Sequence, residues 1–478
     1  MLRRVGKFCF RALGAVLGVA SLLSVASTAQ AASTFTFAYV ANSVSNSVSV
    51  IDLATNTVVD TITGFHTPRG VAVTPNNQYV YVSNSGLDTV SVISTLTNTV
   101  VATITVGYQP WGIAVTPNGN DVYVANYNGT LTSTFNFGTV SEISTATNTV
   151  VATIDLSNDS PEGLAISPDG DYVYTADANA GQVSAIATAT NSVTNIPLLN
   201  GDDAFDVGVE PDNKYVYVTT NAYSAQMISV SSSGPGSDTV TALSGVYPGM
   251  QGSAIAFSTS LAFIAEGNNG SSVSYFPWGS TSFGPYNSTP FIGGVYNPYG
   301  VAISPDGLYV YITSANSGKV AVLPTSSLSS SLSASEVDPT STITVGYGPE
   351  GIAIVQLTKQ SNSITNLSTA PSAVVGGPTY TPSATATSGD TVVITVDSST
   401  SSNCSISGGV VSFQAAGTCL LDFNDPGNGN YVAASQVQQS VNVGKGANSI
   451  TNLSTAPSAV VGGPTYTRAR PRRVVTPS

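Results

Sequence analysis

Apolar and polar residues alternate with a period of two along most of this chain, and they do so in repeating blocks. The clearest block is Pro110-Trp111-Gly112 followed by IAVTPNGNDVYVAN. It recurs as Pro68-Arg69-Gly70 with VAVTPNNQYVYVSN, Pro161-Glu162-Gly163 with LAISPDGDYVYTAD and Pro298-Tyr299-Gly300 with VAISPDGLYVYITS. Two copies are degenerate: Ala204-Phe205-Asp206 with VGVEPDNKYVYVTT, and Met250-Gln251-Gly252 with a later LAFIAEG. A last copy, Pro349-Glu350-Gly351 with IAIVQL, stops early. The block glycine or its replacement falls at 70, 112, 163, 206, 252, 300 and 351, about 47 residues apart on average.

Each block reads as four short strands. GIAV is the first. A turn, TPNG or SPDG, follows, in which Pro presets φ and Asn-Gly or Asp-Gly tolerates the reversal. YVYVAN is the second strand and SVSVI the third. After the turn ATNT comes the fourth, TVVATI. No helical period competes across 36–357. Four antiparallel strands at this repeat length predict a β-propeller blade. The chain enters at FTFAYVAN, a second strand lacking a first, and the last copy is a first strand lacking a second. One blade is therefore expected to be shared between the two ends, three strands from 36–62 and one from 351–357. Seven first strands predict seven blades, and pairing the ends removes an open edge.

The texture changes after the propeller. Short alternating strands, VVITV, VVSFQ, CLLDF and VQQSVNV, are separated by Gly, Ser and Asn. They predict a small antiparallel β-sandwich. Residues 448–467 repeat 362–381 without a difference, so a second module begins. The expected organisation is a signal peptide at 1–31, an all-β seven-bladed propeller at 32–358 and a linker at 359–361. An immunoglobulin-like sandwich at 362–446 and a truncated second module at 447–478 complete it.

The YVYVAN and PxGIAV units resemble the YVTN-type repeat of seven-bladed propellers in exported and surface-layer proteins. The CSISGGVVSF…GTC pattern resembles the tandem immunoglobulin-like modules of bacterial surface proteins. These resemblances imply fold and setting rather than activity. Lactonases and a streptogramin lyase are more distant seven-bladed relatives.

Charge narrows the function. Of 478 residues only 8% are charged and 42% are apolar, against roughly 25% charged in soluble proteins. Eight of the 13 basic residues lie in the first or last eleven positions. Five basic residues between them face all 26 acidic ones, leaving 21 negative charges uncompensated. Such a surface repels phosphate, so no nucleic-acid partner is expected. The basic start MLRRVGKFCFR, an apolar run and Ala29-Gln30-Ala31 predict an export signal cleaved near Ala32. The apolar run is too short to span a bilayer, and no transmembrane segment is expected in the mature chain. Cys404 and Cys419 are then left as an even pair in an exported protein, which predicts a disulfide closing a 16-residue loop, worth about 3 kcal/mol.

Candidate chemistry is sparse. His66, the single histidine, precedes a first strand with no nucleophile-elbow pattern anywhere in the chain. Two thiols without histidine partners are too few for a metal, and no cofactor or metal is expected. Asp202, Asp203 and Asp206 offer oxygens to Ca²⁺, but their spacing fits no EF-hand, and a solvated loop is the plainer reading. The residues before the block glycines are Arg69, Trp111, Glu162, Phe205, Gln251, Tyr299 and Glu350. First strands are innermost in a propeller, so these seven would ring the channel mouth as a ligand site. The alternative, which the residue types favour, is that the aromatics pack between blades and the charges are hydrated.

The expected function is therefore non-enzymatic: a secreted or cell-surface binding, adhesion or structural protein whose partner is a glycan, a cell-wall component or another protein. The alternatives are an exported lactonase- or lyase-like propeller enzyme, for which the sequence shows no converging titratable residues, and a surface-layer lattice component.

The tail RARPRRVVTPS at 468–478 departs abruptly from the repeat that precedes it. In the first module the same place reads PSATATSGDTV, at 382–392. One coding of that segment, read from its second base, translates as the observed tail residue for residue. The expectation is a one-nucleotide loss inside a second module. Resequencing should show a PSATATSGDTV-like reading in the neighbouring frame after Thr467; any other neighbouring frame defeats the idea.

Overall fold

The computed structural model describes residues 31–446 apart from 129–137, 157–159, 222–224, 231–234, 236–237, 244–250, 268–271, 279–294 and 328–338. The expected signal peptide and the second module with its basic tail lie outside the described residues, the signal save for Ala31. Contacts gather Thr34–Thr358 into one compact unit and the described residues from Lys359 onward into another.

The first unit is a ring of seven separate sheets. Ser33–Asn42, Ser47–Asp52 and Thr57–Thr63 form one sheet with Pro349–Lys359, which adds beside Ser33–Asn42. This is the blade shared by the two ends. Continuous blades follow at 68–105, 108–155, 160–197, 204–243, 251–277 and 298–344. Each has four strands in chain order except that of 251–277, with three among the described residues.

The alternation of the second strand explains why blades stack. In YVYV the second tyrosine points between blades and is fully buried at Tyr39, Tyr81, Tyr123, Tyr174, Tyr217 and Tyr311, with Phe263 in the seventh place. Seven apolar clusters fill the seven seams. One packs Tyr39, Val48 and Val50 against Val80, Val82 and Ile93. The ring closes where Tyr311, Val320 and Val322 meet Ala38, Val40 and Ile51. Three of the tyrosines also reach across a seam to an asparagine in the next blade's last turn. Tyr39 donates to Asn98 at 2.5 Å, Tyr81 to Asn148 at 2.8 Å and Tyr311 to Asn56 at 3.3 Å. Each of these asparagines holds a positive φ, which its short side chain tolerates.

The outer edge carries its own device. The pairing of third to fourth strands slips after Val50, Val92 and Glu142. Val59, Val101 and Val151 are the residues left out, and they stand in solvent. Such bulges twist an edge strand away from the flat geometry that recruits another chain.

The second unit has a four-stranded sheet in the order Ala373–Val374, Val437–Gly444, Gly417–Asn424, Val393–Val396, and a hairpin of Cys404–Ser407 and Val410–Phe413. Cys404 and Cys419 are disulfide-bonded, which ties the hairpin to the sheet over a core of Val411, Leu421, Phe423 and Val441. Among the described residues no helix is long and apolar enough to cross a membrane.

Deletion of 351–357 removes Val355 and Ile352 from two different seam clusters. Such a protein should lose cooperative unfolding and aggregate, as followed by calorimetry and light scattering. Melting like that of the intact chain would contradict a closed seven-blade ring.

Candidate functional site

The first strand of each blade is the innermost, and its register breaks at the place the repeat marks. The pairing with the second strand skips from Pro68 to Val71, from Pro110 to Ile113, from Pro161 to Leu164 and from Pro298 to Val301. The skipped residues include Arg69, Trp111, Glu162 and Tyr299. A bulge re-aims a side chain, and here it turns these four into the channel mouth. The glycine after each lets the next strand come close. A Cβ at Gly70 would collide with the Trp111 carbonyl oxygen, and one at Gly300 with that of Glu350.

In the 204–243 blade only Phe205 is skipped, because Asp206 stands where the glycine would be. Its backbone N–H donates to Thr219 at 2.9 Å, and its carboxylate accepts from the N–H of Ile255 in the next blade at 2.9 Å. The carboxyl thus fills a seam that backbone fills elsewhere, and it borders the mouth.

Together these residues line a cavity of about 440 Å³. Arg69, Trp111, Glu162, Phe205 and Tyr299 line it, as do Asp206 and Asn297, which were not expected there. Glu350 is not in the wall but holds it, accepting from Arg69 at 2.9 Å with 10% of its side chain exposed. The Gln251 backbone takes its place in a first strand, but its side chain lies outside the described residues. Trp111 is engaged by neighbours: it stacks on Tyr127 at 5.1 Å, and the Arg69 guanidinium lies 4.1 Å over its ring. Arg69 is also the single arginine between positions 12 and 467.

The titratable groups shift as this crowding requires. Burial pushes the Glu162 carboxyl up to about 8, against the pull of Arg69 and with help from Asp206 and Asp203. Burial pushes Asp206 up to about 7, restrained by the backbone N–H groups of Val207 and Ile255. Glu350 is raised by burial and held back by Arg69, and the Tyr299 hydroxyl is raised by burial and by the Glu350 charge. One guanidinium therefore sits near three carboxyl groups that burial raises, two of them to near neutral pH. That arrangement is suited to giving and taking protons.

Other candidates are dispersed. His66 is exposed and lies outside the cavity wall. Asp202 accepts from Gln226, and Asp203 pairs with Asn221, so the acidic loop is tied up in local hydrogen bonds. Among the described residues no three acidic, histidine or cysteine side chains gather as metal ligands.

Comparison with known proteins bears on this site. Residues 28–152 match the family model described as lactonase, 7-bladed beta-propeller, which is roughly a quarter of the chain and includes Arg69 and Trp111. The periplasmic gluconolactonase of Pseudomonas aeruginosa is 14% identical with a TM-score of 0.53, over 68% of this chain and 99% of that one. A functionally unknown protein of Desulfotomaculum acetoxidans is 17% identical with a TM-score of 0.54, over 67% of this chain and 98% of that one. At such identities these two share the fold. No curated protein matches the chain. The seven-bladed propeller is thus established, and the expectation of a protein without enzymatic activity is overturned, since the family that matches is one of lactonases. That expectation rested on a lack of converging titratable residues. Arg69, Glu162, Asp206 and Glu350 converge from four different blades.

Between about pH 4 and pH 8 the folded chain holds protons on Glu162 and Asp206 that the unfolded chain has released. These two carboxyls therefore cost stability as pH rises through that window. Asp206→Asn keeps an acceptor for Ile255 and removes the titration. Its melting temperature should exceed that of the native protein by a few degrees at pH 8 and match it at pH 4. An equal difference at both pH values would show that Asp206 does not titrate in this way.

Proposed function

We propose that the protein is an exported hydrolase that opens a lactone ring at the channel mouth. The observation that carries this reading is the Glu162–Asp206 pair beside Arg69 in one cavity, with carboxyl affinities pushed up to about 8 and about 7. Between those values Asp206 is mostly ionised and Glu162 mostly protonated. Asp206 takes a proton from a water molecule, whose oxygen bonds to the lactone carbonyl carbon. The Arg69 guanidinium faces the resulting oxyanion. The ring C–O bond then breaks, and its oxygen receives the Glu162 proton. The product is a hydroxy acid, and a proton passes from Asp206 to Glu162 to restore the site.

Glu350 acts as the positioning partner of Arg69, and Trp111 supports the guanidinium from its ring face. The lactonase family match over 28–152 supports the reaction class. Export belongs to the same reading, supported by the signal-like pattern of 1–31 and the Cys404–Cys419 disulfide. The unit after Lys359 is read as an immunoglobulin-like stalk module, supported by its short strands and its buried disulfide.

Full-length protein assayed by pH-stat against γ- and δ-lactones should open at least one of them, with kcat/KM passing through a maximum between about pH 7 and pH 8. Glu162→Gln and Asp206→Asn should each lower kcat about a hundredfold. No ring opening above the uncatalysed rate, or full activity in both variants, would refute the reading.

A further inference from the structure

The mouth end of the ring is also the end where second strands finish and first strands begin, since Pro298 pairs with Ser314 and Pro68 with Asn84. The connections there form a rim, and one sector of it has a distinct chemistry. Tyr347 is 71% exposed and Tyr296 54% exposed. They stand on the connections 43–46, 295–297, 315–318 and 345–348, which are made of Ser, Asn, Gly, Tyr, Val and Ala and carry no charge. The charges flanking them in sequence are Lys319, and Glu350, which is bound to Arg69.

These connections are held in place by backbone hydrogen bonds. Ser43 N–H donates to the Gly348 carbonyl at 2.8 Å, and Tyr347 N–H donates to the Ser45 hydroxyl at 2.8 Å. Tyr296 N–H donates to the Ser314 hydroxyl at 2.7 Å, and Asn316 N–H donates to the Tyr296 carbonyl at 3.3 Å. The rim is therefore a preformed surface. It is also continuous with the mouth. The Ser43 hydroxyl donates to the Gly348 carbonyl at 3.0 Å, two residues before Glu350, Glu350 accepts from Arg69, and Asn297, next to Tyr296, lines the cavity itself.

Tyrosines on a backbone held in place, among small amide and hydroxyl side chains, combine apolar contact area with adaptable hydrogen bonding. Lack of charge removes any preference for an ionic ligand, and the carboxyl groups beyond the rim oppose an anionic one. We propose that this sector binds a neutral oligosaccharide, whose sugar rings lie on Tyr296 and Tyr347. The ester-type ring opened in the mouth is then carried on a neutral sugar chain, a consequence that rests on the hydrolytic reading.

Binding is measured calorimetrically on the full chain with two probes, a β-1,4-linked glucose hexamer and an N-acetylglucosamine hexamer, with a galacturonate hexamer as the anionic control. At least one neutral hexamer should bind, and the galacturonate should not. Tyr347→Ala and Tyr296→Ala should each weaken that binding about tenfold, and Tyr347→Phe should restore it. No binding of either neutral probe, equal binding of the galacturonate, or alanine variants that bind like the native protein would overturn the proposal. Lactone opening by the native protein is scored separately. Neutral hexamer binding without lactone turnover removes the hydrolytic reading alone, and turnover without hexamer binding removes the rim alone.

Discussion

The whole ring depends on how closely successive first strands approach at its centre. The contact is backbone to backbone, and a hydroxyl bridges it. Ser83 accepts from the Gly70 N–H and donates to the Trp111 carbonyl, and Thr313 does the same between Gly300 and the Glu350 carbonyl. Such a bridge is possible because glycine presents no Cβ to the neighbouring strand. The same closeness sets the width of the mouth and forces the bulge that turns Arg69, Trp111, Glu162 and Tyr299 into it.

Asp206 shows what happens when one seam breaks the rule. Its carboxyl stands in the glycine's place and takes up the Ile255 N–H that the next strand presents. A buried carboxyl in a seam costs stability as an anion, which is why its proton affinity rises. The same burial gives the mouth a group able to hold or release a proton near neutral pH. A departure from the repeat that weakens the scaffold is thus what equips it chemically.

Much of this was legible in the sequence, for reasons that can be named. The period-two alternation and the repeat phase, marked by Pro-x-Gly in five of the seven copies, are local and impose the blade, the shared blade and the ring of residues before each glycine or its replacement. The convergence of charge was not legible, because it is set by the ring's diameter. Arg69 and Glu350 lie 281 positions apart and meet because the seventh seam leads back to the first. Asp206 was visible as a replaced glycine. Its neighbours Asp202 and Asp203 drew it into the reading of an acidic loop, although register alone puts it on a first strand, facing the mouth. Trp111 was expected either to pack between blades or to line the mouth, and it lines the mouth while stacking on Tyr127 of its own blade and lying under Arg69 of the neighbouring one.

Closure and chemistry therefore meet in the strand Pro349–Lys359. Its Ile352 and Val355 seal the seams on either side of the shared blade. Its Glu350 reaches across one of those seams to the single cation of the mouth. A buried ion pair gains little net stability, because desolvation offsets the attraction, but it orients both partners firmly. Ser85 and the Trp111 ring also hold Arg69, and pairing of the chain's two ends adds the Glu350 carboxylate to them. The strand that closes the ring thus also supplies the carboxylate partner of the mouth's guanidinium.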